Sequence, residues 1–135
     1  MSYHLDQRLS KINDKAMLKR ALQTLKYSFE EHEKPVSIRG YGNETLRIPC
    51  ELVVSRDTTQ LGADIGFHQE KDGAFTLVSD SYANKNLTEF IALLKRTYEE
   101  EKAIARAHSL GYKVASRGKW VRRDNEEFLQ IVVSR

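Results

Sequence analysis

The apolar residues of this chain switch between two spacings, and the order of those switches restricts the fold more than any other feature. Leu18, Ala21, Leu22, Leu25 and Phe29 follow three- and four-residue steps, which sets them on one stripe of a helix. Asn13 or Asp14 offers an N-cap oxygen, so this helix is expected to run to about Phe29. Ahead of it, Tyr3, Leu5, Gln7 and Leu9 alternate as in a strand, and after it Glu30 to Pro35 reads as a polar break. From Val36 the period is two. Val36, Ile38 and Gly40 alternate with Ser37 and Arg39, and Gly42-Asn43 reads as a turn. Leu46, Ile48, Cys50, Leu52 and Val54 then share one face of the clearest strand, with Arg47, Glu51 and Ser55 opposite. Pro49 has no N–H to donate, which sets that strand at an edge or bulges it there. Ala63, Ile65 and Phe67 make the next inward face, and Lys71-Asp72-Gly73 turns the chain into Phe75 to Ser79.

The helical period then returns. Asn86-Leu87-Thr88-Glu89 has the form of a capping box, opening a helix to about Ser109 with Phe90, Ile91, Leu94, Tyr98 and Ala105 inward. Gly111 is its expected stop. Tyr112 to Ser116, extending through Trp120 to Arg122, and Phe128 to Ser134 are the closing strands, joined at Arg-Asp-Asn. Strands come in runs and do not alternate with helices, so the expected class is α+β, in the order β-α-β-β-β-β-α-β-β. The expected architecture is one domain over residues 1–135, an antiparallel sheet with both helices packed on one face. Leu22, Ile48, Leu52, Phe67, Phe90 and Leu94 are its expected core.

Composition narrows the environment. Residues 1–20 contain no continuous apolar segment, and no apolar run approaches the roughly 20 residues that span a bilayer, so neither a leader nor a membrane partner is expected. The single cysteine forms no internal disulfide and supplies too few thiolates for structural zinc. The expected compartment is the cytoplasm, with no cofactor. The net charge is only +3, but residues 104–135 hold 7 basic and 3 acidic side chains, an excess that suits an anionic partner.

Few residues point to catalysis. Cys50 lies on the apolar face of its strand, where a thiol is buried and inert. His4, His32 and His108 stand apart, with no phosphate loop, nucleophile elbow or zinc spacing nearby. Asp64 and His68 would share the polar face of one strand, but four residues separate their Cα atoms by about 13 Å. An enzyme with a site near Asp64 and His68 is therefore the third reading, and these two read first as solvated surface polars. Asp80 could approach Asp64 across the hairpin as a two-carboxylate site, without further metal ligands at a diagnostic spacing.

The second reading is a nucleic-acid binder, for RNA or single-stranded DNA. Arg117, Lys119, Trp120, Arg122 and Arg123 crowd one short stretch, cations for phosphates around an indole for stacking. Lys15, Lys19 and Lys26 extend that candidate surface along the solvent side of the first helix. The first reading is a non-enzymatic protein-binding or adaptor module. It rests on an edge strand open to strand addition and on Glu99-Glu100-Glu101, an acidic face for a basic partner.

Arg39-Gly40-Tyr41, Asp64-Ile65-Gly66-Phe67, Leu77-Val78-Ser79-Asp80, then Tyr98 in a long helix closing at Gly111-Tyr112, occur in this order along nearly the whole chain. In this the sequence resembles the family named domain of unknown function 1257, of small cyanobacterial, plastid-encoded, bacterial and phage proteins. The basic segment around Trp120 departs from the family pattern. The resemblance brings no activity. The family's association with AAA-type ATPase genes implies an adaptor role with such an ATPase as partner.

Overall fold

The computed structural model describes residues 4–42, 44–59, 62–80 and 86–135; Tyr3 and Asn43, which figure in the expectations above, lie outside them. The elements are β1 (His4–Leu9), α1 (Lys15–Thr24), β2 (Glu30–Val36), β3 (Cys50–Val54), α2 (Arg56–Thr59), β4 (Ile65–Gln69), β5 (Phe75–Asp80), α3 (Leu87–Ser109), β6 (Lys113–Arg123) and β7 (Glu126–Ser134). The class is α+β in the expected order, with the single turn α2 added. Five strands form one antiparallel sheet in the order β1-β5-β4-β3-β2, and β6 and β7 form a separate two-stranded ribbon.

Local chemistry explains most boundaries. The Asp14 carboxylate accepts from the Ala16 and Met17 N–H groups at 2.9 and 3.3 Å, capping α1. That helix stops at Leu25, short of Phe29, because Lys26 turns left-handed (φ 66°) and the Tyr27 N–H closes on the Leu22 carbonyl. The freed chain becomes β2, so Glu30 to Pro35 is an edge strand and not a polar break. Its side chains are nearly all in solvent, and Pro35 falls in a register shift between Glu31 and Val36, where a missing donor costs no ladder bond. The strand of Leu46 to Val54 is correspondingly shorter and lies inside the sheet; it begins at Cys50, just after Pro49.

The main core fills the space between the sheet and α1 and α3. Leu18, Ala21 and Leu22 meet Leu52, Val54, Ile65, Phe67, Phe75 and Leu77, and α3 adds Phe90, Ile91, Leu94 and Tyr98. Both long helices thus cover one face. The Tyr98 hydroxyl accepts from the Asn13 and Asp14 N–H groups at 3.3 and 3.1 Å, locking α3 to the start of α1. A smaller cluster lies on the opposite face: Ile38, Leu46, Cys50, Val53 and Val78. Residues 38–42 and 44–46 fold back over that face, with Leu46 N–H donating to the Ile38 carbonyl and Arg39 bridging Thr45. Leu46 and Cys50 therefore do not share the face of Leu52 and Val54: the β2–β3 register shifts between the Val36–Cys50 and Glu31–Leu52 pairs, which breaks the alternation there, and Ile48, ahead of the strand, is only half-buried.

The long helix begins at Leu87 as expected, yet the Asn86 side chain makes no cap bond, so the capping box is not formed. Its last turn ends at Gly111, left-handed at φ 85°. Asp124 and Asn125, at φ 51° and 66°, make the tight primed turn that joins β6 to β7. Among the described residues, no helix is long and apolar enough to cross a membrane.

Candidate functional site

Two polar constellations stand out, and they differ in kind. The first gathers Arg39-Gly40-Tyr41, Asp64 and Asp80. Asp64 is not a solvated surface residue: it is buried at 4% exposure and its carboxylate accepts four bonds. They come from the Arg39 N–H at 2.8 Å, the Arg56 N–H at 2.9 Å, and Arg39 Nε and Nη2 at 3.1 Å each. Burial pushes this carboxyl up, and the bonds from Arg39 and Arg56 outweigh it, leaving the group below its ordinary range. Asp80 is fully buried and accepts from the Tyr41 N–H at 2.7 Å. Gly40 lies against it so closely that a Cβ would come within 2.9 Å of Asp80 Oδ2. Both carboxylates thus hold residues 39–41 to the sheet. His68 is apart from them on β4, its Nδ1 3.3 Å from Glu51 Oε2. Among the described residues, no three His, Cys, Asp or Glu side chains are placed to hold a metal ion. Cys50 is sealed in the second cluster, where burial first, then Glu51 and Asp6, push its thiol up to about 12.

The second constellation is a groove of about 990 Å³ with three walls. Residues 8–13, between β1 and α1, make one wall. Lys95, Glu99 and Lys102, with Arg96 and Ala103, make the second along one face of α3. Trp120, Glu127, Phe128 and Leu129 at the end of the β6–β7 ribbon make the third. Leu9 and Ile12 are buried beneath it, while Phe128 keeps 47% of its surface exposed. Five of the lining side chains are basic (Arg8, Lys11, Lys95, Arg96, Lys102) against two acidic, Glu99 and Glu127. Arg8 pairs with Asp72, and Arg96 donates to both Glu127 oxygens at 2.8 and 2.9 Å. Lys102 stands over the Tyr98 ring. Lys11 and Lys95 are exposed and make no ion pair with any described residue.

Trp120 joins the groove to the ribbon. Its indole N–H donates to Glu100 Oε1 at 2.8 Å, and the Arg96 guanidinium stands 5.6 Å from its ring centroid. Arg117 is drawn to the same helix, bonding Glu101 at 2.6 Å and approaching Glu100 at 3.4 Å. Glu101 also accepts from Thr24 Oγ1 at 2.6 Å. Burial raises the Glu101 carboxyl, but Thr24 and Arg117 more than compensate and hold it low. Glu100 and Glu101 therefore dock the ribbon onto α3 and leave only Glu99 of the acidic run at the groove.

Of the eight residues expected to contact nucleic acid, only Trp120 lines this groove. Lys15 and Lys19 both bridge Glu31 on β2, at 3.1 and 2.9 Å. Lys26 is exposed at the end of α1. Arg122 lies 3.6 Å from Glu127, and exposed Lys119 and Arg123 make no ion pair with a described residue. Sequence reading missed Arg8, Lys11, Lys95, Arg96, Lys102 and Phe128. The helical spacing of Lys95, Glu99 and Lys102 was legible; that residues 8–13 would face them was not.

Residues 21–125 match the family described as protein of unknown function (DUF1257). The chain belongs to that family. The DUF1257 match runs from the middle of α1 to the turn after β6, leaving β1 and β7 beyond it. Of the motifs shared with DUF1257, Arg39-Gly40-Tyr41 is tied to the sheet by Asp64 and Asp80, which open and close the next two. No curated protein and no solved structure matches the chain.

Proposed function

We propose that this DUF1257 chain is a non-catalytic binding module whose groove takes a segment of a partner protein carrying acidic and apolar side chains together. The observation that carries this reading is the pairing of basic side chains with an apolar floor: Lys11 and Lys95, without ion pairs among the described residues, share the groove with exposed Phe128 and half-buried Leu129. Cationic side chains at a rim steer an acidic segment, and the apolar floor supplies the area that holds it. A phosphate chain would gain from the rim but needs an open stacking surface. The indole of Trp120 is half-buried, hydrogen-bonded to Glu100 and covered by Arg96, which favours the protein segment over nucleic acid. An AAA-type ATPase with such a segment is the partner that the family resemblance implies.

The chain contains a single tryptophan, so its fluorescence reports on the groove directly. Peptides selected from a random displayed library should converge on acidic residues flanking Leu or Phe and should shift that emission on titration. Reversing Lys11 and Lys95 together to glutamate should weaken them roughly tenfold, the effect expected from two exposed charge contacts. A polyuridine oligonucleotide that shifts the emission more tightly than any selected peptide would reverse the reading in favour of nucleic acid.

A further inference from the structure

We infer that β7 is an interface between two copies of this chain, joined edge to edge about a two-fold axis at Gln130. An exposed strand edge is a row of unpaired backbone groups, and proteins that stay monomeric blunt it with charge, proline or bulges. Three of the four edges here are blunted in that way. In β2 nearly all side chains are polar or charged, and Pro35 lies at a register shift. Asp6 and Arg8 are exposed along β1. Lys113, Arg117, Lys119, Arg122 and Arg123 line β6, and both irregularities of the ribbon insert the extra residue into that strand. The fourth edge is different. From Phe128 to Ser134, β7 carries no charge and no proline, and it contributes no extra residue to either irregularity. Phe128, Val132 and Val133 are nonetheless 47%, 59% and 38% exposed.

The sequence of this edge is complementary to itself. An antiparallel pairing centred on Gln130 sets Phe128 opposite Val132 of the second copy, and Leu129 opposite Ile131. Aromatic and β-branched residues are favourable cross-strand partners. The pairing sets Glu126 opposite Ser134, so that only Glu127 meets an apolar residue, Val133. Moving the centre to Leu129 would oppose both glutamates to apolar residues, Glu126 to Val132 and Glu127 to Ile131, and Phe128 to Gln130. Moving it to Ile131 would oppose Phe128 to Ser134 and call on Arg135, already engaged with the Tyr112 ring and hydroxyl. Only the Gln130 register pairs the two most exposed apolar residues of the strand. A two-fold pairing uses each β7 edge once, so assembly closes at the dimer. Phe128 is also a groove residue, and Val132 of the second copy would extend that wall.

Three measurements on the full chain test this. Sedimentation over a concentration series should show a monomer–dimer equilibrium. Under mild oxidation Gln130→Cys should yield a reducible covalent dimer, because directly opposed residues fall within disulfide range, whereas Phe128→Cys should not link to itself. Buried Cys50 does not compete. Val132→Lys, at a position open in the monomer, disrupts two Phe128 contacts per dimer and should weaken association roughly tenfold without changing the fold. A monomer at all concentrations, growth beyond two copies, linkage through Phe128→Cys but not Gln130→Cys, or a Val132→Lys dimer of unchanged affinity would each overturn the inference.

Discussion

Replacing Asp64 by alanine should destabilise the fold by about 2–4 kcal/mol, and the sources of that figure can be separated. The carboxylate accepts from the backbone N–H groups of Arg39 and Arg56, which lose their acceptor when it is removed. Such a group costs about 1–3 kcal/mol when left unpaired in the interior, and these two, only part-buried, fall at about 1–2 kcal/mol each. The Arg39 guanidinium adds less. Its side chain is 43% exposed, so water solvates it, and it keeps Asp57 at 2.9 Å and Ser55 at 2.9 Å. Asp64→Asn retains one carbonyl acceptor and should lose about half as much. Urea denaturation across pH gives a second reading. Because the folded pKa of Asp64 is depressed, its contribution is present above the unfolded value of about 3.9 and is lost as pH falls through the folded value. Wild-type stability should therefore decline more steeply than that of Asp64→Ala below about pH 4. A loss under about 0.5 kcal/mol, or parallel pH profiles, would refute the assignment of Asp64 as an anchor of residues 39–41.

Leu52→Ala should cost about 2–5 kcal/mol in the same assay, since its side chain is fully buried between the sheet and the helices. Gly66→Ala should destabilise by at least about 1 kcal/mol, because the new methyl group would fall 2.4 Å from the Cys50 sulfur. Combined with Cys50→Ala the two losses should not add, as measured by a double-mutant cycle. The Cys50 thiol, buried and pushed up to about 12, should resist alkylation at neutral pH until urea unfolds the chain; rapid labelling of the folded protein would show the second cluster to be open.

What could be read in the sequence followed from local chemistry. The long helix showed in the spacing of Phe90, Ile91, Leu94 and Tyr98, and the β4–β5 hairpin in Asp72-Gly73, because both signals lie within a few residues. β2 was illegible. An edge strand with both faces in solvent has no apolar alternation, and only pairing to β3 makes it a strand. The split of Cys50 from Leu52 was hidden because it depends on a register shift against β2, a strand with no apolar alternation of its own. Asp64 read as a surface polar because nothing local places Arg39, 25 residues earlier, over it. Tyr98, by contrast, was read as inward from its spacing, though its hydroxyl bonds to Asn13 and Asp14 could not be. The groove was the least legible feature, since its walls come from residues 8–13, α3 and the end of the ribbon, and of its lining only Glu99 and Trp120 stand out in the sequence.

A groove that receives an acidic, apolar segment should show it residue by residue. The most direct test is a nitrogen-labelled NMR titration of the whole chain with the tightest selected peptide, following the single indole N–H of Trp120 and the backbone amides. Saturable shifts are expected at Trp120, Phe128, Lys95 and Lys11, with Lys15 and Lys19, paired to Glu31 outside the groove, unmoved. Shifts confined to Lys15, Lys19 and the exposed cations of β6, with the groove residues silent, would contradict binding in the groove.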